Sequence, residues 1–431
     1  MALSFYNEAK TLKNLFEAWR HVRARAYASR EPKIRDDARN FENESHYQLK
    51  RIQGRLGHGT YVFPPVKGIL KDKKVRELAN KRPRPIVLAP IEARVVQRAI
   101  LQVLQPNVAH QLYGRLGRLR EVNESRFALG GIPGGGVSKS ISAVMSSLQD
   151  KYEFVFKSDI AAFFTRIHHE PVVTFIREQT GDEKIAKLFE LGLLVELENA
   201  AEMRDYIDLF PQGGVGVPQG SALSALAGNI LLFDFDIALN DIPDVRAFRY
   251  IDDLLILGRT HESVMAGYSL SCKLLKPFQM KLYDPAKSPD KAERGHARSG
   301  FTYLGCYIQK NHIAPSAEAC RKLLHQIGQR ISSAKKLIAS YASEPEKRRK
   351  IDGVFVQSLR DIDLIIYGWG QSFRFASNRL ASIQNDKAID RLLAEYRNWF
   401  EKLLKTKRPT QQRRMLGVSL LGDLEHRPLE G

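Results

Sequence analysis

Two adjacent carboxylates lie between two apolar runs in Phe248-Arg249-Tyr250-Ile251-Asp252-Asp253-Leu254-Leu255-Ile256-Leu257. The runs have the composition of β-strands, so the pattern predicts a hairpin with Asp252 and Asp253 at its tip. Adjacent carboxylates repel one another and raise each other's pKa, and a divalent cation relieves that repulsion. Solvated turn aspartates give the same local pattern, because Asp is a common turn residue. This segment by itself therefore leaves a metal site and a plain turn both open.

A third carboxylate ends an apolar run farther upstream. Asp159 follows Phe154-Val155-Phe156-Lys157-Ser158, which also has the composition of a strand. A two-metal phosphoryl-transfer site needs carboxylates from separate strand ends, because its ions lie roughly 3.5–4 Å apart and hold both the attacking and the leaving oxygen. Asp159 and Asp252 would supply such a pair. Between them, Gly216-Val217-Pro218-Gln219-Gly220-Ser221 predicts a turn that enters a helix of small residues.

Charge is distributed unevenly along the 431 residues, whose net charge is +19. Residues 1–120 carry 25 Lys and Arg against 10 Asp and Glu, residues 121–320 carry 20 against 26, and residues 321–431 carry 22 against 12. Two basic lobes around an acidic centre are typical of an enzyme that grips a phosphate backbone on either side of bound cations.

Other classes of protein and site are disfavoured by composition. The three cysteines form no Cys-x-x-Cys pair, which argues against a disulfide framework and against structural zinc. The N-terminus lacks a signal-peptide pattern and no run approaches 18 apolar residues, so the sequence predicts a cytoplasmic protein that does not bind a membrane.

A glycine-rich segment invites comparison with a phosphate-binding P-loop. It reads Gly130-Gly131-Ile132-Pro133-Gly134-Gly135-Gly136-Val137-Ser138-Lys139-Ser140. No glycine directly precedes Lys139, so the required spacing fails. The sequence therefore assigns no ATP site to this segment.

The motifs together resemble those of reverse transcriptases and occur in the same order. The resemblance is carried by Asp159 with Phe163 and Phe164, by Pro218-Gln219-Gly220-Ser221, by Tyr250-Ile251-Asp252-Asp253 and by Phe301-Thr302-Tyr303-Leu304-Gly305. It is strongest to the bacterial group that contains group II intron, retron and defence-associated enzymes. The glycine-rich segment departs from the Ser-Tyr-Gly-Phe-Arg motif of group II enzymes, and residues 221–225 depart from the usual Ser-Pro-x-Ser-Pro.

The resemblance implies an α+β right-hand polymerase, with antiparallel sheet and a Tyr-x-Asp-Asp hairpin in the fingers and palm, followed by an α-helical thumb. The implied divisions are an N-terminal helical region (1–57), fingers (58–150), a palm into which part of the fingers is inserted (151–312), a thumb (313–405) and a basic C-terminal tail (406–431).

Individual residues receive roles from the same resemblance. Asp159, Asp252 and Asp253 would be catalytic. Together with the Ile160 carbonyl they would hold two Mg²⁺ ions, for which Mn²⁺ is an alternative. Leu304 and Gly305 would form the turn that grips the primer strand.

The incoming deoxynucleoside triphosphate would be held by a further set of residues. These are Lys71, Arg84, Phe164, Gln219 and Lys287. The Phe164 ring would exclude a 2′-hydroxyl from the sugar site, and Lys287 would protonate the departing pyrophosphate. Arg84 offers a fork that matches phosphate oxygens.

Three functions remain open at this stage. The first is an RNA-directed DNA polymerase that copies a dedicated structured noncoding RNA into DNA, in antiphage defence. The second is a maturase of the group II intron type, which binds RNA and aids splicing. The third is a template-independent DNA polymerase of the abortive-infection type, which would use the same catalytic residues. A homo-oligomer or a partner protein is compatible with each.

Overall fold

The computed structural model describes residues 4–29, 31–73, 76, 82–376 and 380–416. The chain divides into two units, Met1–His296 and Ala297–Gly431. The strands described in the first unit are β1 (Lys67–Lys71), β2 (Arg84–Leu88), β3 (Phe154–Ala161), β4 (Val245–Tyr250), β5 (Asp253–Gly258), β6 (Lys281–Leu282) and β7 (Ala292–His296).

Helices surround these strands. Those described in the first unit are α1 (Phe5–Ala9), α2 (Leu12–Tyr27), α3 (Pro32–Asn43), α4 (Ser45–Gly57), α5 (Ile91–Leu104), α6 (Arg118–Asn123), α7 (Val137–Gln149), α8 (His169–Thr180), α9 (Glu183–Leu193), α10 (Leu223–Leu231), α11 (Phe233–Asn240) and α12 (His261–Leu275).

The central sheet has β3 in its middle. Antiparallel β5 pairs with one edge of β3, and β6 and β7 pair with the other, while β4 forms a hairpin with β5. Leu254, Leu255, Ile256 and Leu257 in β5 are fully buried, since α12 packs on the sheet and the strand lies inside it. A strand covered on both faces reads as a continuous apolar run, which explains why this segment lacks the alternation of a half-exposed strand.

The β4–β5 hairpin confirms the predicted hairpin with one refinement. Its turn consists of Ile251 and Asp252, whereas Asp253 is the first residue of β5. The two carboxylates therefore lie in different local environments, one in the turn and one in the ladder.

A second, smaller ladder pairs β1 with β2 in antiparallel register, with Lys71 opposite Arg84. The Val87 amide in β2 donates a hydrogen bond to the carbonyl of Gln219 at 2.9 Å. This bond ties the β1–β2 hairpin to the loop that precedes α10.

The second unit begins with a three-stranded antiparallel sheet of β8 (Phe301–Tyr303), β9 (Cys306–Gln309) and β10 (His312–Pro315). Helices α13 (Ala317–Ser343), α14 (Ile351–Ser372), α15 (Leu380–Lys405) and α16 (Pro409–Met415) follow. A separate apolar core joins α13, α14 and α15 through residues such as Ile327, Ile362 and Tyr396. The α+β class and the helical C-terminal part are thus confirmed.

The predicted boundaries can be compared with these elements. The predicted boundary at 312/313 falls inside β10, and the two units divide at 296/297. Of the predicted basic tail, 406–431, residues 417–431 lie outside the described residues.

Within the described ranges, no helix by itself has both the length and the apolar composition of a membrane span; the bent pair α10 and α11 meets these two criteria only when its members are taken together.

Candidate active site

The β3–β5 register brings the three predicted carboxylates together. Asp159 lies directly opposite Asp253 in the ladder, and the Ile160 amide donates to the carbonyl of Asp252 at 2.7 Å. Directly opposed residues of an antiparallel pair place their side chains on the same face of the sheet. Asp159 and Asp253 therefore meet through long-range strand pairing across almost one hundred residues of sequence.

The turn between β4 and β5 is strained. Ile251 has φ of +61°, in the left-handed region. A β-branched residue rarely adopts this conformation, because its side chain crowds the backbone there. Such strain persists only where the surrounding structure holds it, and it is common at active sites.

Burial and mutual repulsion govern the charges of the site. Burial raises the pKa of Asp253 to about 7, helped by a hydrogen bond with the Asp159 carboxyl and by the charges of Asp159 and Asp252. Burial also raises the pKa of Asp252, as does Asp159, whereas the positive charges of Lys291 and Arg84 oppose that rise. Ionising all three groups together therefore requires added positive charge nearby.

Lys291 is a neighbour of the carboxylates that sequence reasoning missed. Its ammonium group pairs with the Asp159 carboxylate, and its carbonyl accepts a hydrogen bond from the Asp159 amide at 3.1 Å. Burial lowers the pKa of Lys291, but the hydrogen bond and charge of Asp159 outweigh this effect and leave its pKa above the ordinary value. Lys291 directly precedes β7, and the pairing of β7 with β3 brings it beside Asp159. This neighbour relation depends on long-range pairing, so no local sequence motif indicates it.

A cleft of about 390 Å³ opens beside these residues. Of the predicted site residues it brings together Arg84, Asp159, Ile160, Phe164, Gln219 and Asp252. It adds Arg76, Tyr283 and Lys291, which the sequence did not single out. A cleft lined by two carboxylates, two arginines and a lysine suits a ligand that carries phosphates and metal ions.

The two phenylalanines after Asp159 have different environments. Both line the cleft, but Phe163 is buried in the core whereas Phe164 is half-buried. Their rings meet edge to face with centroids 5.1 Å apart. The Val217 amide donates to the Phe164 carbonyl at 2.7 Å. The loop that carries Gln219 thus fixes the backbone of Phe164.

Gly220 allows that loop to approach β2 closely. Its φ is +119°, and a Cβ atom at this position would lie 2.7 Å from the carbonyl oxygen of Val87. Only glycine fits such an approach without displacing the strand. The Pro-Gln-Gly-Ser motif therefore has a structural basis at its third position.

Other predicted residues do not line the cleft. Lys71 lies opposite Arg84 in the β1–β2 ladder, and Asp253 contacts Asp159 from the side. Lys287 lies in a turn closed by its own amide, which donates to the Asp284 carbonyl at 3.1 Å. Among the residues that the structure describes, the lysine at the cleft is Lys291 rather than Lys287.

The predicted primer-grip residues lie in the second unit. Leu304 and Gly305 form the turn between β8 and β9, both at positive φ, and the Gly305 carbonyl accepts from the Ser316 amide at 2.9 Å. Within the described residues, no group of three His, Cys, Asp or Glu side chains is arranged to hold an ion.

The stability of the metal-free protein should depend on pH through Asp253. Its pKa is about 7 in the folded state, whereas an exposed Asp titrates near about 4. The folded state therefore keeps a proton that the unfolded chain releases, so stability falls as pH rises from about 4 through about 7. Asp253→Asn should remove this loss and raise the melting temperature in EDTA at pH 8 by at least about 2–4 °C, with a smaller gain at pH 4.5.

Circular dichroism melts at the two pH values measure this difference. Asp36→Asn is the control, because Asp36 is exposed on α3 and should show no such dependence. Equal gains for Asp253→Asn at both pH values would contradict the assignment of a buried proton to this residue.

Comparison with known proteins places these features in a family. Residues 69–308 match the model of the reverse transcriptase (RNA-dependent DNA polymerase) family. Protein YkfC of Escherichia coli (strain K12) is 22% identical over 294 residues, which are 60% of this chain and 70% of that protein.

Two solved structures are also similar. A partial Cas6-RT-Cas1–Cas2 complex aligns with a TM-score of 0.35 and 17% identity over 64% of this chain and 42% of that chain. Telomerase from Candida albicans, solved with a TWJ fragment of telomeric RNA, aligns with a TM-score of 0.41 and 13% identity over 85% of this chain and 62% of that chain. This chain thus spans less than two thirds of each solved chain. Because the family match runs from β1 to β9 and covers more than half of the sequence, the chain belongs to the reverse transcriptase family.

Proposed function

We propose that this chain is an RNA-directed DNA polymerase that adds deoxynucleotides to a primer. The observation that carries the proposal is the β3–β5 register, which sets Asp159 opposite Asp253 and beside Asp252 at a cleft lined by basic side chains. Carboxylates from separate strand ends are what phosphoryl transfer with two ions requires.

The carboxylates fit a role in binding cations. Asp159 already contacts one cationic group, the Lys291 ammonium, and burial penalises ionised Asp252 and Asp253. Asp159, Asp252 and the Ile160 carbonyl would hold Mg²⁺ or Mn²⁺, with Asp253 as a supporting carboxylate. Ions bound there would lower the pKa of a primer hydroxyl and neutralise charge on the reacting phosphate.

The remaining side chains of the cleft would bind and orient the nucleotide. Arg76, Arg84 and Lys291 bring positive charge to the cleft and would hold the triphosphate. Phe164 would lie against the sugar and exclude a 2′-hydroxyl. Gln219, whose carbonyl is anchored by the Val87 amide, would face the base pair.

Three predicted roles outside the cleft are retained as proposals. Lys71, opposite Arg84 on the same hairpin, would approach the triphosphate when the nucleotide binds. Lys287 would assist departure of pyrophosphate from its turn beside the segment that carries Lys291. Leu304 and Gly305 would contact the primer through the tight turn of the second unit.

We further infer that the template is a dedicated structured RNA and that the DNA product serves in antiphage defence. The basic excess of residues 1–120 and 321–431 supports extensive contact with an RNA backbone. The similarity of the motifs to defence-associated enzymes supports the biological role. The proposed fingers (58–150), palm (151–312) and thumb (313–405) would each contact the template or the primer.

Sequencing the RNA that copurifies with the protein tests the proposal. We expect one predominant structured RNA, which, when added back to nuclease-treated protein with deoxynucleoside triphosphates and Mg²⁺, yields a DNA copy of defined sequence. Cells that carry this RNA and the protein should resist phage. DNA synthesis that persists without RNA would instead support a template-independent polymerase, and recovery of an intron RNA with no DNA product would support a maturase.

A further inference from the structure

Arg249 is a fully buried arginine in β4, two residues before Ile251 of the β4–β5 turn. Its side chain is 1% exposed, and it donates to both carboxylate oxygens of Asp236 at 2.8 and 2.5 Å. A further nitrogen donates to the Asn229 side-chain oxygen at 3.2 Å and to the carbonyl of Ile251 at 3.0 Å. Arg249 thus connects α10 and α11 with the strained residue of the turn.

The buried ion pair between Arg249 and Asp236 is not well explained by a contribution to stability alone. Removing two charges from water is costly, and apolar residues of similar size often replace a buried ion pair without loss of stability. Charged groups in such a position are better explained by the conformation they select. Besides Asp236, Arg249 also donates to the carbonyl of Ile251, the residue whose φ is +61°. This bond connects the ion pair to the strained turn.

The glycine-rich segment supports the same turn from another side. A Cβ atom on Gly130 would lie 2.9 Å from the Ile251 amide nitrogen, and one on Gly131 would lie 3.2 Å from the Ile251 side chain and 2.6 Å from Ala225. Gly131 has φ of +74°, which also favours glycine. The side-chain amide of Asn229 donates to the Gly130 carbonyl at 2.8 Å, and its side-chain oxygen accepts from Arg249. The Asn229 side chain therefore links the glycine-rich segment to Arg249.

Backbone hydrogen bonds complete the connection. The Arg249 amide donates to the Phe127 carbonyl, and the Leu129 amide donates to the Arg249 carbonyl, both at 2.8 Å. The segment that superficially resembled a phosphate loop therefore packs behind the catalytic turn.

We propose that Arg249, Asp236, Asn229, Gly130 and Gly131 form a turn brace, which holds Ile251 in its left-handed conformation and thereby sets the position of Asp252 relative to Asp159. Arg249 is a positioning residue in this scheme, because it acts through the turn. The proposal rests on the proposed polymerase function, in which Asp159 and Asp252 hold ions whose spacing must be maintained. The brace would govern affinity for metal and the rate of chemistry, with little effect on binding of nucleotide or RNA.

The test uses the double variant Arg249→Met with Asp236→Leu, which removes both buried charges while keeping apolar bulk. Binding of Mn²⁺ to the protein alone is measured by electron paramagnetic resonance, and kcat and KM are measured by primer extension at varied Mg²⁺. We expect the folded variant to bind Mn²⁺ at least tenfold more weakly and to lose at least tenfold in kcat, with KM for deoxynucleotides within about twofold of the parent. A merely structural pair would leave both the metal affinity and kcat of the folded variant unchanged.

A second variant keeps the test decisive if the double variant does not fold. Asn229→Asp retains an acceptor for Arg249 but loses the donor to the Gly130 carbonyl, and it should weaken Mn²⁺ binding in the same direction. Gly117→Ala controls for a loss of stability alone, because Gly117 has φ of +53° and a Cβ atom there would lie 2.6 Å from the Gln179 side chain rather than from a residue of the brace. It should lower the melting temperature and leave metal affinity unchanged.

The two proposals can fail separately. A parent protein that binds Mn²⁺ but polymerises nothing would refute the polymerase function. Comparing the Mn²⁺ affinities of the variants and the parent would still show whether the turn brace positions the carboxylates. Mn²⁺ affinity and kcat within twofold of the parent in the folded double variant, together with unchanged affinity in Asn229→Asp, would overturn the brace.

Discussion

Replacing both Asp252 and Asp253 with alanine should abolish nucleotide incorporation while leaving the protein folded and able to bind RNA. The rate should fall by on the order of 10³-fold or more, since removal of even one electrostatic group from a polar active site typically costs 10²–10³-fold. Folding should survive, because burial already disfavours the ionised carboxylates and their loss relieves repulsion with Asp159. RNA binding should survive because the basic excess lies in residues 1–120 and 321–431.

Primer extension and RNA-binding assays on the same preparation measure these effects. The chain offers a matched control in Asp36 and Asp37, a second Asp-Asp pair that is exposed on α3. Alanine at both of those positions should leave synthesis unchanged. Normal DNA synthesis by the Asp252 and Asp253 variant would contradict the two-metal assignment.

Phe164→Ala should relax the choice of sugar, so that ribonucleotides enter a product from which the parent excludes them. Phe164 lines the cleft that also contains Asp159 and Asp252, and its backbone is held by the Val217 amide. Removing the ring leaves space for a 2′-hydroxyl and a water molecule. Discrimination should fall by about 10²-fold, which is the scale on which a pocket distinguishes ligands that differ by one small group.

Competition between a deoxynucleotide and the matching ribonucleotide in primer extension measures this ratio. Phe163→Ala is the control, because Phe163 is almost fully buried, meets Phe164 edge to face and packs against Gly228. That change should cost about 3–5 kcal/mol of stability without altering sugar choice. A folded Phe164→Ala variant that still rejects ribonucleotides would contradict the proposal that the Phe164 ring excludes the 2′-hydroxyl. A parent protein that accepts ribonucleotides would contradict it as well.

The contact between Lys291 and Asp159 could not be predicted from the sequence. The resemblance to reverse transcriptases directed attention to Lys287, but Lys291 is the lysine that contacts Asp159 and lines the cleft. Which lysine reaches the carboxylates cannot be read from composition in a segment of turns, because the register of β7 against β3 determines it.

The glycine-rich segment shows a second limit. Its spacing argued against a P-loop, but nothing in the spacing revealed what the glycines do. Gly130 and Gly131 are required by their close approach to Ile251, more than one hundred residues away in sequence. These contacts form only when the chain folds so that the glycine-rich segment lies beside the end of β4.

The sequence by itself determined the elements whose information is local. Apolar runs beside carboxylates predicted the β4–β5 hairpin and β3, the order of motifs indicated the family, and the resemblance implied the C-terminal helices. The tertiary structure decided which side chains meet: the pairing of Asp159 with Asp253, the contact of Lys291 and the network around Arg249. The physical reason is that strand register and the packing of small residues are set by long-range pairing and by the total fit of the core, to which each local segment contributes only a part.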